Sequence, residues 1–75
     1  MKKMRLIDLL LLVADKKLKD GQMVLIDNDC YKFNKEEEKF CVPTNFKKFR
    51  AIYTYDMNLT CYILSDYEEL NKEEK

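Results

Sequence analysis

The stretch LIDLLLLVA, residues 6–14, decides the fold, because every residue in it except Asp8 is apolar. When successive residues are placed about 100° apart around a helix, the apolar side chains of this stretch other than Leu12, together with Leu18, cover an arc of roughly 200°. That arc is about twice as wide as the stripe that a surface helix needs. The sequence therefore predicts a mostly buried helix from about residue 4 to residue 17, which stops by Gly21.

The opposite face of this helix is charged, and the apolar Leu12 lies at its centre. An apolar residue among charges predicts a contact beyond the fold itself. Arg5, Asp8 and Leu12 are therefore the candidate partner or oligomer interface. A chain of 75 residues buries only about 60% of its unfolded surface. Self-association, most simply as a dimer, is one route to added stability at this size.

The overall charge argues against a general binder of polyanions. The chain has 14 basic and 14 acidic residues and a net charge of zero, whereas phosphate neutralisation supplies nearly all non-specific affinity for nucleic acids. The apolar run near the start is interrupted by Asp8 and is too short to span a bilayer. The sequence predicts a cytoplasmic protein with no membrane segment.

The residues that usually carry chemistry are sparse. There is no histidine, and the three cysteines, Cys30, Cys41 and Cys61, are at least 11 residues apart, so neither a paired zinc site nor a disulfide framework fits. We expect core or near-core thiols in a reducing compartment. The acidic residues at 27, 29 and 36–38 lack the spacing of a calcium loop and predict solvated turns. We expect no enzymatic activity, cofactor or metal.

Alternating apolar residues after the helix predict a small sheet. Residues 22–26, 30–33 and 39–42 form a three-stranded meander in this interpretation, with a turn at 27–29 and a stop at Pro43. Residues 59–64 are largely apolar on both faces and predict a strand that lies inside the sheet or at an interface. The predicted fold is α+β: one helix on a mostly antiparallel sheet of about four strands. A single domain over 1–66 precedes a charged, frayed segment at 67–75.

Residues 45–56 admit two interpretations. Phe46, Phe49 and Ile52 recur at helical spacing, while residues 51–55 are rich in strand formers. We favour a short helix near 45–53. Such a helix would bury Phe46 and Phe49 in the core and leave its lysines in water, which a small domain with nine aromatic residues favours.

The same segment is the one candidate ligand site. Aromatic rings interleaved with cations suit base stacking and phosphate contact. The candidate contacts to a nucleic acid or nucleotide are Lys47, Lys48, Arg50, Tyr53 and Tyr55. A nucleotide held between subunits would use the same groups. With Phe49 assigned to the core, we expect no nucleic-acid binding at physiological salt.

Two runs of the chain carry a resemblance. LLLVADKK at 10–17 and VLIDNDCYKF at 24–33, followed by NLTCYIL at 58–64, resemble short uncharacterised proteins of phages and prophages of Bacillota. Those proteins have a helix ending in Ala-Asn-Gly-Glu, an extended segment with two aromatic residues and a closing Leu-Asn-Asp-x-Val-Glu-Ile-Ile strand. This chain has Asp15-Lys16 in place of Asn-Gly, and its closing strand lacks the acidic residues.

The resemblance implies a phage-borne accessory protein that counters a host defence, and it carries over no functional residues. We therefore expect a non-enzymatic interaction protein that binds and blocks a host macromolecule, with a host protein as the first choice of partner. The alternative is a small nucleic-acid or nucleotide binder that uses residues 46–55.

Overall fold

A computed structural model describes residues 2–64; the segment 67–75, expected to be frayed, lies outside the described residues. The elements in chain order are β1 (Lys2–Arg5), α1 (Leu6–Ala14), β2 (Met23–Ile26), β3 (Asp29–Asn34), β4 (Lys39–Val42), β5 (Asn45–Phe49) and β6 (Thr60–Ile63). The strands form one sheet in the order β1-β6-β2-β3-β4-β5, and all neighbours are antiparallel. The α+β class is confirmed, but the sheet has six strands rather than four.

One additional strand comes from the segment expected to begin the helix. Residues 2–5 are extended and pair with β6, with Lys2 opposite Ile63 and Arg5 opposite Thr60. The prediction that the helix begins near residue 4 is therefore wrong. Pairing with β6 satisfies backbone groups of this segment, so long-range hydrogen bonding outweighs the local helical pattern.

The segment just before β6 supplies partners for the start of α1. The N–H groups of Leu6 and Ile7 donate to the carbonyls of Leu59 and Met57, at 2.9 and 3.1 Å. The first N–H groups of any helix lack partners within the helix. The segment before β6 therefore anchors the helix on the sheet.

The helix ends before Gly21, at a lysine. Lys16 N–H donates to the carbonyl of Val13 and Lys17 N–H to that of Leu12, at 3.1 and 2.9 Å, which is the Schellman pattern. Lys16 has φ 60°, a left-handed conformation that usually selects glycine. This helix therefore stops with a residue that is less suited to the geometry than glycine.

The predicted meander is present as β2, β3 and β4. Ile26 lies opposite Asp29, so Asp27 and Asn28 form a two-residue turn, and their φ values of 51° and 70° fit type I′. Residues 35–38 connect β3 to β4, with Asn34 opposite Lys39. Here the local turn chemistry and the alternation agree with the structure.

The core lies between α1 and one face of the sheet. Its buried residues are Leu6, Leu9, Leu18, Val24, Ile26, Phe33, Phe40 and Cys61. Within α1 only Leu6 and Leu9 are buried, whereas Leu11, assigned to the buried arc, is 58% exposed. The prediction of a mostly buried helix is wrong, because the sheet covers one side of α1 and its contacts follow the ordinary spacing of a surface helix.

The expectation that the last strand lies inside the sheet is confirmed, since β6 pairs with both β1 and β2. The connection from β5 to β6 contains a short 3₁₀ turn at Thr54–Asp56, and its Ile52 and Leu59 pack against the core. No helix within residues 2–64 is long and apolar enough to cross a membrane.

Candidate binding surface

The segment expected to form a short helix is an irregular edge strand. Cys41 of β4 lies opposite Phe49 of β5, yet the next residue, Val42, lies opposite Asn45. Residues 46–48 therefore have no opposite residue on β4, and β5 is bulged. The helix prediction for 45–53 is wrong, because the chain reverses after Pro43 and pairs with β4 instead.

The bulge explains the misleading spacing of the phenylalanines. In a regular strand, Phe46 and Phe49 are three residues apart and would point to opposite faces. Here Phe46 contacts Lys32 and Phe49 contacts Lys39. Lys32 lies opposite Cys41, and Lys39 is two residues before Cys41, so both lysines lie on one face of the sheet. Both phenylalanines therefore lie on the face opposite α1.

Each phenylalanine pairs with a cation. The Nζ of Lys39 lies 4.3 Å from the ring centroid of Phe49, and the Nζ of Lys32 lies 5.4 Å from that of Phe46. Both distances fit cation–π contacts. We name these four residues the cation–aromatic surface.

The two rings are accessible to solvent. Phe46 is 64% exposed and Phe49 is 51% exposed. The expectation that Phe49 belongs to the core is wrong. Its physical basis was a helix that would have turned both rings inward, and the bulged strand turns them outward instead.

The cation–aromatic surface continues across the face opposite α1, which we call the open face. In β1–β4 and β6, the strand registers place eleven side chains there, namely Lys3, Arg5, Met23, Leu25, Cys30, Lys32, Asn34, Lys39, Cys41, Thr60 and Tyr62. Four of these are cations and none is a carboxylate. Only Cys41 among the eleven is buried. The balanced charge of the chain thus conceals a basic sheet face.

A groove of about 330 Å³ adjoins Phe46 and Lys32. Its other lining residues belong to the loop before β2, to β3 and to the turn after β3, and they are Asp20, Gly21, Phe33, Asn34 and Glu36. Asp20 is partly committed, since its Oδ1 accepts the Lys35 N–H at 2.9 Å. The groove gives the surface a concave border at this end.

Arg50 belongs to the opposite face. Its Nη1 donates to the Tyr31 hydroxyl at 3.4 Å, and its Nη2 lies 4.0 Å from Oδ1 of the buried Asp56. The hydrogen bond to Tyr31 raises the pKa of the Arg50 guanidinium. Tyr31 lies opposite Val24, on the core face. The structure therefore separates Arg50 from the lysines and engages it in holding the connection between β5 and β6.

Tyr53 and Tyr55 also lie in this connection. Their rings stack on each other with centroids 5.4 Å apart and an interplanar angle of 9°, and both are exposed. The Tyr53 N–H donates to Oδ2 of Asp56 at 3.0 Å. The five candidate contacts thus do not form one site: Lys47 and Lys48 lie on β5, while the other three lie beyond it.

The outer edge of β5 is poorly suited to pairing with another strand. Lys47 and Lys48 are both exposed, and the Lys47 N–H donates to the side chain of Asn45 at 3.0 Å. Lysines and bulges are features that protect edge strands from edge-to-edge association. A partner at this end is therefore expected to contact side chains rather than extend the sheet.

Of the three residues proposed for an interface, Arg5 and Asp8 form an ion pair with each other, and Leu12 does not take part in it. Arg5 and Asp8 interact at the start of α1, with Arg5 Nε 3.5 Å from Asp8 Oδ2 and the Arg5 N–H donating to the same oxygen at 3.3 Å. Leu12 is half-buried. The most exposed large apolar residue of α1 is its neighbour Leu11.

The cysteines divide between the two faces. Cys61 is fully buried in the core, as its position in the alternating strand predicts, and burial raises its pKa to about 11. Cys41 is buried outside the core cluster, and Cys30 is exposed. The expectation of a core position is wrong for Cys30, which the register with Leu25 places on the open face. Among the described residues no acidic or cysteine cluster could hold a metal.

Sequence reasoning missed Lys3, Lys32, Lys39 and Tyr62. They are scattered along the chain, and strand pairing brings them to one face. The alternation of apolar Tyr31 and Phe33 with Lys32 was a usable signal, since it already placed Lys32 away from the core. No family model, curated protein or solved structure matches this chain.

Proposed function

We propose that the protein is a non-enzymatic interaction module that binds a host macromolecule through the cation–aromatic surface and blocks it. In this proposal a phage or another mobile element encodes it, and it acts in the bacterial cytoplasm against a defence system. Support for the setting comes from the resemblance to phage proteins of Bacillota. Support for the role comes from the surface itself.

The observation that carries the proposal is the exposure of Phe46 and Phe49. Burying one phenylalanine side chain contributes about 1.5–3 kcal/mol, and a domain of this size has a small margin of stability. The fold therefore does not gain the free energy that burial of these two phenylalanines would contribute. A role in binding gives a reason for their position, since aromatic residues are enriched at binding surfaces.

A non-enzymatic role is consistent with the low reactivity expected of the cysteine thiols at positions 30 and 61. Cys61 is buried with a raised pKa, which disfavours the reactive thiolate. Cys30 is exposed, but the chain has no histidine to serve as its base.

The test is capture from a Bacillota lysate with the tagged full chain, with and without nuclease. The variant Phe46→Ser with Phe49→Ser should lose a macromolecule that the unmodified protein retains. A matched control, Ile7→Ser with Leu11→Ser, removes two exposed apolar residues of α1 and should retain it. Circular dichroism should show that both variants are folded. Capture that survives the phenylalanine changes, or that both variants lose equally, would refute the proposal.

A further inference from the structure

We infer that the macromolecule is a single-stranded nucleic acid, bound across the open face with its bases on Phe46 and Phe49. This inference rests on the proposed function, because it names the ligand of the same surface. The sequence ranked nucleic acid below a host protein on two grounds: Phe49 in the core and a net charge of zero. In the structure Phe49 is exposed. The net charge of zero describes the chain as a whole and not the open face, which is basic.

Charge complementarity selects an anionic ligand. The open face of β1–β4 and β6 carries four cations and no carboxylate, as the registers show. Asp20 and Glu36 line the groove beside Lys32 and Phe46. Arg5 and Lys39 each have a carboxylate at the border of the face, Asp8 at 3.5 Å and Glu37 at 3.8 Å. These ion pairs are exposed and weak, so phosphates can compete for both cations.

The rings select bases rather than a simple polyanion. Each exposed phenylalanine has an ammonium group near its ring, so stacking and charge neutralisation occur at neighbouring points. Proteins that bind single strands combine these two features, with bases on aromatic side chains and phosphates on cations. A duplex keeps its bases stacked inside, so it cannot use the rings in this way. The inference is therefore specific to single strands.

The dimensions allow a path of several nucleotides. Lys3 lies on β1 and Lys39 on β4, which are separated by four inter-strand steps in the sheet. At about 4.8 Å for each step, the cations extend over roughly 19 Å. Tyr62 and Lys32 lie between them on β6 and β3, and β5 adds the two phenylalanines at the far end.

A second copy of this chain is a poor occupant of β5. If two β5 strands paired antiparallel about a centre at residues 47–48, lysine would lie opposite lysine. Like charges at opposite positions are destabilising. The bulge adds a further obstacle to pairing. The surface is thus better suited to an anionic ligand than to self-association.

The test is fluorescence anisotropy of labelled oligo(U) and oligo(dT) with the purified full chain over a range of salt concentrations. The adjacent lysines of β1 provide a matched pair, because Lys3 lies opposite Tyr62 on the open face and Lys2 lies opposite Ile63 on the other. Lys3→Gln should weaken binding about fivefold near 0.1 M salt, as expected for the loss of one phosphate contact. Lys2→Gln should leave binding unchanged.

Two further variants test the far end. Lys32→Gln with Lys39→Gln should flatten the slope of log affinity against log salt by about 1 to 2 units. Phe46→Ser should lower affinity about tenfold with little change in that slope. A duplex of the same length should bind more weakly than the single strand.

Absence of oligonucleotide binding at low salt, or equal losses for the Lys2 and Lys3 variants, would overturn the inference. If the lysate experiment then captured a nuclease-resistant protein through Phe46 and Phe49, the proposed function would stand with a protein as partner. If neither experiment depended on the phenylalanines, both would fail.

Discussion

The two faces of one sheet differ in burial, although the same strands supply both. On β2, β3 and β4, the residues that point to α1 include Val24, Ile26, Phe33 and Phe40, all buried. The alternate residues on these strands include Leu25, Lys32 and Lys39, which are partly exposed. Alternation along each strand therefore assigns one face to the core and leaves the other available for binding.

The strand β5 does not follow this division, because its large apolar residues lie on the open face. Its bulge abandons regular pairing with β4 and places two large apolar residues on the open face. Bulges commonly redirect side chains near functional sites. The comparison of the faces thus predicts that substitutions on the core face act on stability, while those on β5 act on binding.

The largest effect is expected on the core face. Leu9 is fully buried on α1, so Leu9→Ala should lower the free energy of unfolding by about 2–5 kcal/mol, enough to unfold much of a small domain. Urea denaturation followed by circular dichroism measures this. Leu11→Ala, two residues away and exposed, should change stability by less than about 0.5 kcal/mol. Equal losses for the two variants would contradict the division.

Phe49→Ala provides a sharper test, because the sequence and the structure predict different sizes of effect. A core phenylalanine would cost about 3–5 kcal/mol when truncated. With half of the side chain exposed, the expected cost is about 1 kcal/mol, from the partial burial and the contact with Lys39. The same denaturation experiment decides it, and a loss near 4 kcal/mol would return Phe49 to the core.

The smallest perturbation uses the cysteines as reporters. Cys30 on the open face should react with iodoacetamide in the native protein, whereas Cys61 should not. Burial raises the pKa of Cys61 from 9.0 to about 11. The protonated thiol therefore stabilises the folded state in full below pH 9, and this stabilisation is lost as the pH rises toward 11. Mass spectrometry of the alkylated peptides over a pH series provides the measurement. Equal alkylation rates for Cys30 and Cys61 at mildly alkaline pH would contradict the placement.

Much of the fold could be predicted where local signals act alone. The Asp27-Asn28 turn depends on residues that tolerate positive φ, and the meander around it depends on alternation. The position of β6 between two other strands followed from its two apolar faces. These features need no knowledge of distant parts of the chain.

The errors occurred where pairing over long distance outweighs local pattern. Residues 2–5 became a strand through β6, and residues 45–49 became a strand through β4. In the second case, the three-residue spacing of Phe46 and Phe49 indicated a helix, but a bulge produced the same shared face. Tertiary context overrides intrinsic propensity in both segments.

Only the part of the candidate site that is continuous in sequence could be predicted. The run at 46–50 contains two of the surface residues in sequence, and the pattern identified them as aromatic groups among cations. Lys32 and Lys39 join them through strand register, and Arg50 is removed by its contacts with Tyr31 and Asp56. A linear motif could show neither that Lys32 and Lys39 belong to the surface nor that Arg50 lies outside it.

The pairing of β1 with β6 also determines when the surface can exist. Residues 2–5 meet residues 60–63, so the sheet closes across nearly the whole described chain. Contacts between residues so far apart in sequence form late, after local hairpins such as β2–β3, because the chain between them must first be ordered. Lys3 and Tyr62 belong to these two strands. During synthesis, the chain therefore completes its basic face only after β6 has emerged.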